Sequence, residues 1–270
     1  MIHLIPEGGL CNRMRSIASV GLLARRVGQP LTVHWWRTND MNCSFHELFD
    51  TAGLPFIVRD SNAAGWRAGF FKFATYSAEF LMKNIGLPVL DSQSSAALVN
   101  QEDKLCAWAA TGNPRIRTHS KMLADASLFT PFKPTKELQA VIDAHSSRLS
   151  RAVGVHIRRG DNVKSSRFSP TNRFIELMHA ELAADPTTQF FVATDSPETF
   201  DTLQREFGDI VFEHAKQSVD RSDPSAIRDA VVDLYCLASC RKLLGSYWSS
   251  FSDTAWEIRG IDHVIVRDEA

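Results

Sequence analysis

Apolar and polar positions alternate most regularly over Val153-Gly154-Val155-His156-Ile157-Arg158. A period of two predicts a strand, with Val153, Val155 and Ile157 in a core. His156 and Arg158 then emerge together near the strand's end. Downstream, the pattern predicts helix 172–184, strand 190–194, helix 197–206, strand 210–213, helix 226–239 and strand 242–245. A helix after Ser250 and a last strand over 264–266 complete it. Strict alternation of strands and helices predicts a doubly wound parallel sheet with right-handed crossovers. The first half opens with an apolar run over 2–5, broken by Pro6-Glu7-Gly8-Gly9. From Asn12 to Val27, Ile17, Val20, Gly21, Ala24 and Val27 form one apolar face, and Gly28 and Pro30 stop the helix. A strand over 31–35 follows, so this half also begins as strand, glycine turn, helix, strand, the signature of a parallel sheet. The stretch 60–113 is aromatic and lacks a clean period; helices are expected over 74–84 and 100–110. Pro131 and Pro134 interrupt the chain, and a helix resumes over 136–149. A domain boundary is expected near Ser150, giving domains 1–150 and 151–270.

Length and charge narrow the classes. At 270 residues the chain is long enough for two ordinary domains. A formal net charge of −1 argues against a general nucleic-acid binder, which carries a basic surplus. Five cysteines, an odd count dispersed over the chain, argue against a disulfide framework and point to a reducing compartment, the cytoplasm. Cys236 and Cys240, one helical turn apart, read as core. The apolar start is too short for a signal peptide. No run reaches the length of a membrane span, so no integral membrane segment is expected.

The candidate chemistry lies at strand ends. Arg158-Arg159-Gly160-Asp161 follows a strand, and in open α/β sheets ligands bind at that carboxyl end. A guanidinium there, beside a glycine, suits a phosphate; the alternative is an ion pair of Arg158 or Arg159 with Asp161 that closes a turn. Asp195 ends another strand. Gly245-Ser246-Tyr247-Trp248-Ser249-Ser250-Phe251-Ser252 joins a strand to a helix, whose N-terminus attracts anions; the alternative is an ordinary serine cap.

Together, His156-Ile157-Arg158-Arg159-Gly160-Asp161, Asp233-Leu234-Tyr235, Gly245-Ser246 and Ser249-Ser250-Phe251-Ser252 resemble motifs of one superfamily, in the same order and at similar spacing. It is the fucosyltransferase superfamily of α1,2-, α1,6- and protein O-fucosyltransferases. Glu7-Gly8-Gly9-Leu10-Cys11-Asn12-Arg13-Met14 resembles the Gly-Gly-Leu-Gly-Asn-Gln type of opening found there, whereas residues 40–134 match no motif. The resemblance implies an α/β, GT-B-like architecture: two Rossmann-like domains with parallel sheets facing across a cleft, GDP-fucose being held mainly by the second. It implies inverting, metal-independent transfer of fucose to a hydroxyl of a glycan-type acceptor, with no cofactor beyond the donor. The sequence itself contains no Asp-X-Asp pair, the usual anchor of a divalent metal in glycosyltransferases.

By the same resemblance, Arg158 is the diphosphate ligand and leaving-group stabiliser; Arg159, expected to point to the other side, is read as a structural neighbour pairing with Asp161 or Asp195. His156 and Asp233 contact guanine, while Asp195 holds the ribose or orients His156. Ser249, Ser250 and Phe251 complete the phosphate and base side, and Asn12 and Arg13 reach across the cleft. The general base is Glu7, with Asp161 its rival. The α1,6 enzymes place a glutamate after their first motif, but Lys164-Ser165-Ser166-Arg167 offers none. Other readings are a GT-B enzyme using another nucleotide sugar, and a non-catalytic GDP-sugar binder. A dinucleotide oxidoreductase is disfavoured because neither glycine turn makes Gly-X-Gly-X-X-Gly.

Overall fold

Two glycine turns frame the first strand-helix-strand unit. Strand β1 (Ile2–Pro6) ends at Pro6, helix α1 (Leu10–Arg26) begins after Gly9, and β2 (Leu31–Arg37) returns parallel to β1, Leu4 facing Val33. The structure is a computed structural model that describes residues 1–62, 67–125, 129–160, 162–218, 220 and 222–268, with residues 67, 68, 71 and 72 as backbone. After β2 come α2 (Phe45–Leu48), β3 (Ile57–Asn62), α3 (Arg67–Asn84), β4 (Val89–Leu90), α4 (Ser92–Ala96), α5 (Glu102–Ala109) and β5 (Arg115–Thr118). The five strands form one parallel sheet in the order β3-β2-β1-β5-β4. Strands β3, β4 and β5 escape the hydrophobic pattern: Ile57–Asn62 is polar at four of its six positions, Val89–Leu90 is two residues long, and Arg115–Thr118 has one apolar residue. The described aromatic side chains of α3 do not form core. Phe70, Phe73 and Phe80 stand out from α3 with 69%, 71% and 67% of their surface exposed, and Trp66 lies outside the described residues.

The second sheet follows α6 (Lys136–Leu149). Its elements are β6 (Ala152–Ile157), α7 (Val163–Phe168), α8 (Thr171–Ala184), β7 (Gln189–Thr194), α9 (Pro197–Phe207), β8 (Val211–Phe212), α10 (Pro224–Ala238), β9 (Lys242–Ser246), α11 (Ser250–Arg259) and β10 (Asp262–Val266). All its strands are parallel, in the order β10-β9-β6-β7-β8. The chain lays β7 and β8 on one side of β6, then returns to place β9 and β10 on the other. The topological switch point therefore lies between β6 and β9, where His156 faces Gly245. Val153, Val155 and Ile157 pack with Phe174, Met178 and Phe190.

All six residues of β6 are buried, His156 included. The alternating pattern places His156 on an emerging side, and the structure corrects this. Both faces of a parallel sheet are covered by helices, and the second face of β6 is closed by the end of α10 and the residues after it, where a Cβ on Gly154 would meet Leu237 and Cys240. Helix α7, which no periodicity announces, starts at an Asn162 cap whose Oδ1 accepts the Ser165 amide at 3.0 Å.

The chain divides into two compact units: Met1–Thr135 with Asp220–Arg228, and Lys136–Val219 with Asp229–Ala270. The first unit's main segment ends before α6, which lies against β6. Residues 220–228 group with the first unit, where Asn42 Nδ2 donates to the Ser222 carbonyl at 2.8 Å.

Candidate active site

The switch point of the second sheet collects the arginine motif. Ser246, the last residue of β9, ties it down: its Oγ donates to the His156 carbonyl at 3.1 Å and accepts the Arg158 amide at 2.9 Å. Arg158 begins the loop after β6. Its Nη1 donates to Asp195 Oδ2, at the end of neighbouring β7, and Asp195 Oδ1 accepts the Arg159 amide at 2.7 Å. Gly160 is required here, since its φ is +34° and a Cβ would lie 2.7 Å from Asp195 Oδ2. Asp195 therefore neither orients His156 nor pairs with the Arg159 side chain, in contrast to the sequence expectation; it fixes one arm of the Arg158 fork. Arg159 is structural through other partners: Nη1 donates to the Arg158 carbonyl at 2.9 Å and Nη2 to Thr171 Oγ1 at 2.7 Å. Asp161, the other carboxylate named for this loop, lies outside the described residues.

Across the switch point, β9 runs through Tyr247 and Trp248 into α11. Ser249 is the N-cap and is buried, and its side chain makes no capping hydrogen bond. The amides of Ser250, Phe251 and Ser252, first in the helix, have no carbonyl within it to bond and present an anion-binding end. Gly245 lets α11 approach, because a Cβ there would sit 2.8 Å from Ser252 Cβ. That approach brings Ser252 Oγ to 2.7 Å from His156 Nδ1 and stacks Phe251 on the imidazole, centroids 4.8 Å apart at 26°. Burial, then Arg158, Lys216 and Arg159, lower the His156 pKa to about 3. The imidazole is accordingly neutral at physiological pH, with one N–H and one bare nitrogen.

Asp233, which the resemblance sets against guanine, is not exposed to solvent. It is buried in α10, and its Oδ1 has no hydrogen-bond partner. Burial raises its pKa to about 6, against the opposing pull of Lys216 and His214. Lys216 Nζ lies 3.5 Å from Asp233 Oδ2. A buried carboxylate oxygen without a partner is costly. Sequence reasoning missed Lys216, and it placed Ser246 and Ser252 in motifs without giving either a role of its own, because their partners are distant in the chain.

The first unit places the Glu7–Arg13 opening at the carboxyl end of β1. Glu7 Oε1 accepts Arg117 Nη1 at 2.8 Å and Oε2 accepts Ser92 Oγ. Arg117 also engages Glu79 through Nε at 2.9 Å. Glu79 lines a cavity of about 290 Å³, with His3, His34 and Trp36 among its walls. Asn12 Oδ1 is buried without a partner. Arg13 does not reach outward. Its guanidinium, buried over the Trp35 ring, donates to the Gly8 carbonyl at 2.8 Å, the Trp36 carbonyl at 2.6 Å and Thr38 Oγ1 at 3.2 Å. It ties the glycine loop to β2.

No protein-family model matches the sequence, and a comparison with curated proteins finds none that matches. Solved structures do match. The chain aligns with the α1,6-fucosyltransferase NodZ, soaked with GDP-fucose, at 20% identity over 95% of this chain and 92% of that one, with a TM-score of 0.64; NodZ comes from Bradyrhizobium. It aligns with a mutant of Arabidopsis thaliana FUT1 in complex with GDP at 14% identity, over 99% of this chain and 70% of that one, TM-score 0.64. POFUT1 in complex with GDP-fucose aligns at 12% identity over 98% and 96%, TM-score 0.60. At such identities the likeness is one of fold. This chain has the GT-B fucosyltransferase fold that its motifs implied. Among the described residues, no helix is long and apolar enough to cross a membrane.

Proposed function

We propose that this chain is an inverting glycosyltransferase that moves fucose from GDP-fucose to a hydroxyl of a glycan or related acceptor. The observation that carries the reading is the second unit's strand-end constellation. Arg158, braced by Asp195, follows β6, the N-terminus of α11 follows the neighbouring strand β9, and the buried Asp233 holds an unpartnered oxygen in the same unit. As GDP departs, charge builds on its β-phosphate. A preplaced guanidinium and the helix-terminal amides then act more strongly on the transition state than on the ground state. Asp233 accepts from guanine N1–H and N2–H, a pattern neither adenine nor uracil offers, while His156 and Phe251 provide the wall beside the base. Ser249 and Ser250 add hydroxyl donors to the phosphate end. Charge balance by these groups is what makes a metal dispensable in this reading. Asn12 contributes from the acceptor side, and Arg13 only positions the glycine loop. Asp195 positions Arg158.

Inversion needs a base within hydrogen-bond reach of the acceptor hydroxyl. We assign it to Glu7, whose carboxylate is held by Arg117 and Ser92, with Asp161 the rival. Glu7→Gln is expected to lower transfer by roughly 10²–10⁴-fold while leaving GDP binding intact. Loss of transfer in Asp161→Asn, with Glu7→Gln active, would reverse the assignment. The odd count and dispersed positions of the five cysteines suit a reducing compartment, and on that ground the chain is assigned to the cytoplasm.

The test of the whole reading combines thermal shift with turnover. GDP should raise the melting temperature and UDP should not, and GDP-fucose should be consumed in the presence of an acceptor panel, with or without chelator. Equal shifts by GDP and UDP would remove the guanine argument. Binding of GDP without release of fucose to any acceptor or to water would leave a non-catalytic binder.

A further inference from the structure

The loop between β8 and α10 carries a lysine whose placement is fixed from both sides. Asp229, one turn before Asp233 on α10, clamps the chain around Lys216: Oδ1 lies 3.1 Å from His214 Nε2 and Oδ2 accepts the Gln217 amide at 2.7 Å. Between these two anchors the Lys216 side chain is directed inward, with 15% of its surface exposed. Its Nζ is 2.9 Å from Glu213 Oε2 and 3.5 Å from Asp233 Oδ2. Two carboxylates, on the loop and on the helix, share one ammonium, and Asp233 is left with Oδ1 unpaired.

We propose that Lys216, held by the Asp229 clamp, is the positioning residue of nucleobase recognition: it keeps the Asp233 carboxylate ionised and turned so that Oδ1 faces the base. The inference rests on the donor reading above and adds to it the residue that lets a buried carboxylate work at neutral pH.

The electrostatics agree in direction. Burial acts against the Lys216 charge, but Asp233 and Glu213 outweigh it and hold its pKa above the ordinary value. The groups that act on Asp233 are Lys216, His214 and Glu213 from the loop, with Cys236 interacting with it on its own helix, while Asp229, one turn before it, meets His214. Burial and the Asp233 charge raise the Cys236 thiol to about 12, so it stays neutral. Glu213 opposes ionisation of Asp233, and its charge is met by the same ammonium. An opposite charge at this range depresses a carboxylate by about 1–3 units, so removing Lys216 carries the titration of Asp233 from below neutrality to above it.

The experiment measures the GDP dissociation constant from about pH 5.5 to about pH 8.5 for the wild-type chain, Lys216→Met and Lys216→Arg. Wild-type affinity is expected to fall below about pH 6, as Asp233 takes up a proton. In Lys216→Met that fall should move up by about 1–2 units, with affinity roughly 3- to 30-fold weaker at about pH 6.5 and within about twofold of wild type at about pH 8.5. Lys216→Arg should restore the wild-type profile. A Lys216→Met profile that falls at the wild-type pH overturns the proposal, and so does a loss equal at every pH, which a merely structural or directly ligating lysine would give. If Lys216→Met does not fold, a Lys216→Arg profile displaced from the wild type by a full unit or more overturns it as well. Absence of GDP binding by the wild-type chain at every pH removes the donor reading, and this inference with it.

Discussion

Arg158→Ala is expected to lower fucose transfer by roughly 10²–10³-fold, about 3–4 kcal/mol of transition-state stabilisation. The loss should appear in kcat more than in KM, because charge on the leaving diphosphate develops only as the bond to fucose breaks. Arg158→Lys should recover part of the rate and not all. An ammonium supplies charge, but it cannot keep one planar arm on Asp195 while the fork engages phosphate oxygens. The fold should survive, since the loop retains the Ser246 bond to the residue-158 amide and the Asp195 bond to the Arg159 amide. Single-turnover kinetics with GDP-fucose, beside circular dichroism of each variant, provide the check. A folded Arg158→Ala chain with near-normal turnover would sink the assignment.

Asp233→Asn should separate binding from stability. An amide presents donors where the base presents N–H groups, so GDP affinity is expected to fall by roughly 10–10²-fold, the loss of one or two charge-assisted hydrogen bonds. Preference for GDP over inosine diphosphate, which lacks the 2-amino group, should collapse with it. Stability should move the other way. The folded-state pKa of Asp233 lies near 6, above the ordinary 3.8. Its contribution to stability is present below the unfolded pKa and is lost as pH rises through about 6. At about pH 7.5 the wild type carries that loss and the Asp233→Asn chain does not, so the variant should be more stable by about 1–3 kcal/mol. At about pH 4 most of the gain should be gone. Urea unfolding at the two pH values, with GDP and inosine diphosphate titrations, decides it. A variant that is less stable at the higher pH and still prefers GDP would contradict both halves.

The second unit was far more legible than the first. Each of its longer strands and helices was apparent from periodicity, with ends displaced by a few residues, because parallel strands covered by helices are dense in apolar side chains. In the first unit β1, α1 and β2 were apparent for the same reason. Its remaining strands were not: Val89–Leu90 is too short for a period, and Arg115–Thr118 alternates arginines with Ile116 and Thr118. They are strands because neighbours supply the ladder, Ile116 pairing with both Leu4 and Leu90. The exposed phenylalanines of α3 defeat pattern reading in the opposite sense, being apolar without being core.

What the sequence determined alone was the order of chemical pieces: an arginine pair after a strand, an aspartate on a helix, and a serine-rich entry to another helix. Those pieces are local, and local spacing is what side-chain periodicity encodes. The tertiary structure decided which of them touch. Arg158 meets Asp195 across 37 positions, its amide meets Ser246 across 88, and His156 meets Ser252 across 96. Such partners are set by the strand order β10-β9-β6-β7-β8, which puts β7 and β9 on either side of β6. Sheet order also withdrew Arg13 from the outward-facing set, because β2 beside β1 offers it carbonyls to satisfy, and it brought Lys216 to Asp233. A charge's role depends on what is buried beside it, and burial is a property of the assembled fold.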